Sequence, residues 1–133
     1  MRFTRLSSDA QPSVLIVNPN PDLCLVFTDR LKAKGYEVES VPDGKTCLER
    51  IRHHGFDAML LSEHLPDQDG LSLFNAIRTI QRDLPVIFLT VTGPSPVALQ
   101  QGAFAVFTLP CEREELYSLL QKGIKGIPTM EKL

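Results

Sequence analysis

The sequence lacks the features that mark secreted and membrane proteins. It has three cysteines, an odd number, spread widely over a chain of 133 residues. This pattern fits a reducing compartment and not a disulfide framework. The longest apolar runs, such as residues 58–61, are far shorter than the roughly 20 residues that a helix needs to cross a bilayer. Residues 1–13 are basic at first but have no apolar centre, so they do not read as a secretory signal. We therefore expect a cytoplasmic protein.

A large excess of charge of either sign is also missing. The formal net charge is −2, so composition gives no general reason to expect nucleic acid or an anionic membrane as a partner. The length is enough for one domain with a hydrophobic core, and no internal repeat or low-complexity tract is visible. We expect a flexible polar arm at residues 1–12, one domain at residues 13–124 and a short tail at residues 125–133.

Short apolar segments that alternate with helical patterns are what the sequence does contain. The candidate strands are residues 14–17, 36–41, 58–61, 86–89 and 104–109. Several of them are apolar without interruption, which is typical of strands that are covered on both faces in a parallel sheet. This alternation predicts right-handed crossovers and a doubly wound α/β domain of the (βα)₅ type.

The helical segments show apolar residues at helical spacing. In the first, the predicted buried face consists of Leu23, Val26, Phe27 and Leu31. The fourth is different, because little more than one turn separates its predicted start at Ser95 from Gly102. We expect this fourth helix to be short.

Ligands of open parallel sheets bind at the carboxyl ends of the strands, so the residues at those positions are the candidate site. The predicted strand ends carry Asn18, Pro19, Asn20, Ser62, Thr90 and Leu109.

Five segments in order carry a resemblance to a known family. They are VLIVNPNPDL (14–23), GYEVESVPDG (35–44), DAMLLSEHLPDQDG (57–70), LPVIFLT (84–90) and GAFAVFTLP (102–110). Together they resemble the receiver domain of bacterial response regulators, which is CheY-like. The resemblance implies a flavodoxin-like sheet with strand order 2-1-3-4-5 and an origin in two-component phosphorelay signalling.

The metal site that the resemblance implies has lost its carboxylates. The family's acidic pair falls on Asn18 and Pro19, and a frequent third acid falls on Asn20. Magnesium needs oxygen ligands, usually with at least one carboxylate, and these three residues offer only neutral amides. We expect no metal and no other cofactor here.

The groups that handle the phosphoryl group in the family are also missing. The resemblance places the acceptor aspartate at Ser62 and the phosphoryl-binding lysine at Leu109. The family's hydroxyl is kept as Thr90, but the next residue, usually small, is the bulky Val91. A serine hydroxyl is a poor nucleophile unless a base activates it, and leucine cannot neutralise charge. We expect no catalytic residue and no aspartyl phosphorylation.

The resulting hypothesis is a pseudo-receiver that regulates signalling by protein contact without phosphorylation. Its partner would be a signalling or output protein, or a second copy in a homodimer, and not nucleic acid or a membrane. By resemblance, the face formed by the fourth helix, the fifth strand and the fifth helix is a common partner surface. The predicted residues of this face are Leu99, Val106, Phe107 and Tyr117.

Two alternatives stay open. The altered pocket could bind a small molecule or an anion and make the domain a ligand-responsive sensor. Less favoured is an enzyme that uses Cys111 or a pair of Ser62 and His64. Asp69, which precedes Gly70, is better explained as a helix N-cap than as a metal ligand.

Overall fold

Five parallel strands form a single sheet in the strand order 2-1-3-4-5 that the resemblance implies. The structure, a computed structural model, describes residues 11–91, 96–109 and 113–125. The strands are β1 (Ser13–Val17), β2 (Glu37–Val41), β3 (Ala58–Ser62), β4 (Val86–Thr90) and β5 (Ala105–Thr108). Each lies within one residue of its predicted position, because the apolar runs mark the buried strands clearly.

A helix follows each strand. The helices are α1 (Pro21–Ala33), α2 (Gly44–His53), α3 (Gly70–Ile80), α4 (Pro96–Gln100) and α5 (Arg113–Lys125). Helix α4 has five residues and is short, as expected. Three side chains cap the first turns of α1, α2 and α3, and each accepts backbone N–H groups that no helical carbonyl can reach. The capping residues are Asn20, Asp43 and Asp69, the last of which confirms the predicted cap.

The helices cover both faces of the sheet and enclose two apolar layers. One layer contains Leu15, Met59 and Phe88 from the strands and packs against α2, α3 and α4. The other contains Ile16 and Leu60 and packs against α1 and α5. Alternate strand side chains enter alternate layers, so β1 and β4 are buried throughout and β3 is buried up to its last residue, Ser62, which is half-buried. This arrangement fixes the carboxyl ends of the strands on a rigid edge.

The buried face of α1 differs from the one that the spacing predicts. Its buried residues are Cys24, Phe27 and Leu31, whereas Val26 is 45% exposed. Leucine and valine are apolar on either side of a helix. The spacing of apolar residues therefore could not separate the buried face of α1 from its exposed face. The small Cys24 takes the core position because its sulfur lies against the end of β1, where its Sγ donates to the carbonyl of Asn18.

The turn from α1 into β2 depends on one glycine. Gly35 adopts a φ of +98°, a left-handed conformation that other residues rarely adopt. Its N–H donates to the carbonyl of Lys32, and the next N–H, from Tyr36, donates to Leu31. This is how α1 ends, as the position of Gly35 predicts.

Several expectations concern residues outside the described ranges. They are the cap at Ser95, the reactivity of Cys111, and most of the arm and tail at residues 1–12 and 125–133. Within the described part of the chain, no helix has both the length and the apolar character needed to cross a membrane.

Candidate functional site

The predicted site residues lie at the carboxyl edge of the sheet. Asn18 directly follows β1, Ser62 ends β3 and Thr90 ends β4. Because neighbouring strands are parallel and in register, these positions share one edge. Leu109 directly follows β5 and joins the same edge, since its N–H donates to the carbonyl of Thr90 at 2.7 Å.

The end of β1 is a hydrogen-bonded turn. The Asn18 side-chain oxygen accepts the N–H of Asn20 at 2.9 Å, and Asn18 is 9% exposed. Asn20 in turn caps α1, because its side-chain oxygen accepts the N–H groups of Asp22 (3.0 Å) and Leu23 (3.2 Å). Pro19 between them is exposed and has no ligand atom in its side chain. Both amide oxygens are therefore bonded to backbone N–H groups.

Ser62 is tied to its own loop. Its Oγ donates to the backbone carbonyl of His64 at 3.0 Å, and the exposed imidazole of His64 is not the partner. The loop returns very close to this point, because a Cβ added to Gly70 would lie 2.6 Å from the Ser62 carbonyl oxygen. The Ser62 hydroxyl thus stabilises the turn, and no hydrogen bond to a general base activates it among the described residues.

The remaining edge positions offer no positive charge that could bind an anion. Leu109 packs its side chain against the apolar layer beneath α1 and α5. Thr90 is buried, while Val91 is 71% exposed. Glu63 adds negative charge next to Ser62, and one of its carboxylate oxygens is shielded from solvent without a hydrogen-bond partner among the described residues. A negative charge near this edge would oppose the binding of a phosphoryl group.

The other carboxylates of the β3–α3 loop hold the loop in place. Asp67 accepts the N–H of Gly44 at 3.0 Å and that of Lys45 at 2.9 Å, and so joins this loop to the start of α2. These bonds, led by the one from Gly44, hold the pKa of Asp67 below its ordinary value. Asp69 caps α3 through the N–H of Ser72. The sequence did not reveal the role of Asp67, because its partners are 22 and 23 residues away.

Neither a metal cluster nor a reactive thiol emerges from the described ranges. No group of three or more histidine, cysteine or acidic side chains comes together there in a way that could hold a metal ion. Cys24 and Cys47 are buried, and burial raises the pKa of both thiols, that of Cys47 to about 12. Thiols that stay protonated are poor nucleophiles.

Three of the four residues predicted for the partner face line one groove. It has a volume of about 340 Å³ and lies between α4, β5 and α5. Its lining residues are Leu99, Phe104, Ala105, Val106, Phe107, Glu115 and Leu119. We call it the β5 groove. Leu99 is 51% exposed at its rim, so an apolar surface is open to a partner.

Tyr117 does not belong to this face. It is 7% exposed and lies under the Lys34 ammonium, whose nitrogen is 4.9 Å from the ring centroid. Tyr117 is two positions from both Glu115 and Leu119, and two positions are about 200° of rotation round a helix. Since those two residues face β5, Tyr117 faces α1 instead.

The fold agrees with that of a known family. The family model for the response regulator receiver domain matches residues 14–121. The chain belongs to this family. The chain is 30% identical over 115 residues to the transcriptional regulatory protein GlrR of Escherichia coli. The matched region covers 84% of this chain and 26% of that protein. It therefore spans about a quarter of that relative's length.

Solved receiver domains have the same architecture. The receiver domain of a sensor histidine kinase from Pseudomonas aeruginosa is 31% identical, with a TM-score of 0.79 and coverage of 87% of this chain and 99% of that one. That structure has a magnesium ion coordinated in its active-site cleft. The receiver domain of a putative LuxO repressor from Vibrio parahaemolyticus has a TM-score of 0.82 at 22% identity, which shows the fold alone. The chain is thus a signalling receiver domain by family.

Proposed function

We propose that this receiver domain is a phosphorylation-independent pseudo-receiver, a regulatory module that acts by binding protein and not as an enzyme. One observation carries the proposal. At the carboxyl edge of the sheet, the polar side chains at the family's metal and acceptor positions are neutral and already bonded to the backbone: Asn18, Asn20 and Ser62.

The donor set does not fit magnesium. The related Pseudomonas domain holds this ion in its active-site cleft. Here the corresponding positions present no carboxylate, and the amide oxygens of Asn18 and Asn20 accept N–H groups of the β1–α1 turn. A hard divalent cation would have to displace these bonds and would gain only neutral ligands. Magnesium binding therefore has no part in the proposed function.

Phosphoryl transfer would also lack a nucleophile and a cation. The Ser62 hydroxyl donates to a backbone carbonyl, and no base is placed to take its proton in the described part of the edge. The place of the family lysine is taken by Leu109, which packs into the core and carries no charge. An incoming phosphoryl group would meet the negative charge of Glu63 without a compensating cation.

The β5 groove supports the binding part of the proposal. It combines apolar residues at the sheet edge with an exposed leucine on a helix of only five residues. Because α4 is so short, less of β5 is covered than a longer helix would cover. A protein partner or a second copy of the domain would bury this apolar surface, which is the general driving force for association.

The proposal is tested with acetyl phosphate and Mg²⁺, followed by intact-mass spectrometry. We expect no added phosphoryl mass on this domain under conditions that modify the Pseudomonas receiver domain. A variant with Asn18→Asp, Pro19→Asp, Ser62→Asp and Leu109→Lys replaces the missing groups together, and circular dichroism checks that it folds. Gain of phosphorylation by this variant alone supports the proposal, and stoichiometric labelling of the natural chain overturns it.

A further inference from the structure

A groove of about 470 Å³ lies at the amino edge of the sheet, the edge opposite the candidate site. It lies where β2 begins, because Glu37, the first residue of that strand, lines it. Its apolar lining consists of Tyr36, Val38 and Phe56. The His54 imidazole also lines it and lies edge-on to the Phe56 ring, with 4.8 Å between the ring centroids. We call this the amino-edge groove, and its volume is large enough for an apolar side chain from another segment.

The amino-edge groove runs along an open strand edge. Among the described strands, β2 pairs only with β1. The Glu37 N–H donates to the Pro12 carbonyl, and the Val41 carbonyl accepts the Asn18 N–H, so Glu37 and Val41 face β1. Because alternate residues of a parallel strand direct their backbone groups to opposite sides, the N–H and carbonyl of Val38 point away from β1. Proteins usually cover or blunt such an edge, so another segment placed here would have a structural role.

Carboxylates dominate the charge at the amino edge. Glu37 is exposed beside the groove. Asp57 lies next to it, since its Oδ2 accepts the N–H of Ser13, a lining residue, at 2.7 Å. Glu39 also lines the groove but is paired with a guanidinium of α2, and Lys32 contributes one ammonium. The edge therefore keeps a negative charge, which favours a segment with basic residues.

The segment that directly precedes the groove matches it in both respects. Gln11, the first described residue, lines the groove, and residues 1–10 lie just before it and outside the described ranges. Their sequence, MRFTRLSSDA, contains two large apolar side chains and two guanidinium groups: Phe3, Leu6, Arg2 and Arg5. At no more than about 3.6 Å per residue, Leu6 lies within about 18 Å of Gln11 and Phe3 within about 29 Å. Both side chains therefore have the reach to enter the groove.

We infer that residues 1–10 bind in the amino-edge groove of their own chain. The side chains of Phe3 and Leu6 lie against its apolar lining, and the guanidinium groups of Arg2 and Arg5 lie beside its carboxylates. The segment then covers the open edge of β2 and closes it to strand pairing with another chain. Composition alone predicts a flexible arm, because most of these residues are polar. The inference goes beyond the proposed function, since it involves neither the candidate site nor the β5 groove.

The first test measures contacts of the Phe3 ring by NMR in the full chain. We expect nuclear Overhauser effects between the ring protons of Phe3 and the methyl protons of Val38. A mixture of isotope-labelled and unlabelled chains separates contacts within one chain from contacts between two copies. Absence of these contacts, contacts between copies only, or contacts with the β5 groove instead would each overturn the inference.

The second test removes the apolar side chains that the groove would bury. In a variant with Phe3→Ser and Leu6→Ser, the ratio of bound to free segment should fall roughly tenfold or more. This ratio is obtained from the amide shifts of Val38 and His54. Thr4→Ser is the matched control, because it changes the same segment without removing a large apolar or charged group, and it should leave the ratio unchanged. An equal ratio in the double variant and the natural chain would contradict the inference.

The third test reverses the charge of the segment. Arg2→Glu with Arg5→Glu should lower the ratio of bound to free segment and reduce the weakening of binding by salt. Adding Glu37→Arg should restore part of the binding, because the charges then attract again. Binding that is insensitive to both changes would overturn the placement of the arginines beside the carboxylates. Circular dichroism checks that each variant folds, and no Mg²⁺ or acetyl phosphate is used, so the outcome is independent of the phosphorylation test.

Discussion

At the scale of single residues, the carboxyl edge of the sheet shows side chains that stabilise turns. Asn18 closes the β1–α1 turn, Asn20 caps α1 and Ser62 bonds to the loop that follows β3. Asp67 joins that loop to α2. The same positions that the resemblance assigns to chemistry are therefore explained by the hydrogen bonding of the backbone around them.

The cap formed by Asn20 gives a first prediction. Asn20→Ala leaves two N–H groups of α1 without their acceptor and should lower the free energy of unfolding by about 1 kcal/mol, measured by urea denaturation. Asn20→Asp keeps the acceptor and adds a charge that suits the helix N-terminus, so it should match the natural chain within about 0.5 kcal/mol. Equal stability of all three proteins would show that the cap is not a stabilising contact.

The contact of Asp67 gives a pH-dependent prediction. Its pKa is lowered in the folded state, so the ionised form is favoured by folding. The stabilisation is present above the ordinary pKa of 3.8 and is lost as the pH falls through the lower folded value.

Asp67→Asn keeps one acceptor oxygen but has no charge to titrate. Urea denaturation should therefore show the natural chain more stable than the variant at about pH 7, with the difference shrinking at about pH 3. Glu49→Gln, on an exposed part of α2, serves as the control for a general loss of negative charge. A difference that is the same at both pH values would contradict the account.

At the scale of helices and strands, the sequence predicts what depends on local pattern. Apolar segments, several of them uninterrupted, predict all five strands, and the few residues between Ser95 and Gly102 predict a short fourth helix. What depends on packing is not predictable in this way. Val26 faces solvent and Cys24 faces the core because of how α1 sits on the sheet, and Tyr117 faces α1 for the same kind of reason.

In the candidate site, too, some features follow from the sequence and others only from the folded structure. The substitutions at Asn18, Ser62 and Leu109 are visible in the sequence once the resemblance is drawn. Their present hydrogen bonds are not, because these need the turn geometry, and the bonds from Asp67 to α2 join segments distant in the chain. The exposure of Val26 was not predicted, because the helical spacing placed it on the buried face of α1.

The attachment of α4 gives a prediction at this scale. The Arg78 guanidinium donates to the carbonyl of Gln101 just after α4 and lies 5.4 Å from the centroid of the Phe74 ring. Arg78→Ala removes this link between α3 and α4. Amide hydrogen exchange at residues 97–101 should rise about fivefold, as expected for a hydrogen bond worth about 1 kcal/mol. Arg82→Ala, at an exposed position after α3, should leave the exchange unchanged; a rise that is equal in both variants would contradict a specific role for Arg78.

At the scale of the whole molecule, one sheet carries the candidate site at its carboxyl edge and the apolar β5 groove at one side. The five-stranded fold is that of the receiver family, and two apolar layers support it. Fold alone does not carry function without the groups of its site. In the proposed function, regulation by this domain depends on its surfaces and not on a phosphoryl switch at its edge.

The central claim is that this edge responds to neither metal nor phosphoryl group, and an NMR titration tests it most directly. Amide spectra are recorded while Mg²⁺ and then beryllofluoride are added, with the Pseudomonas receiver domain as the positive control. We predict no saturable shift at Asn18, Ser62 or Thr90. Saturable shifts at these three residues would mean that the edge still binds the metal or the phosphoryl mimic, and the pseudo-receiver account would be wrong.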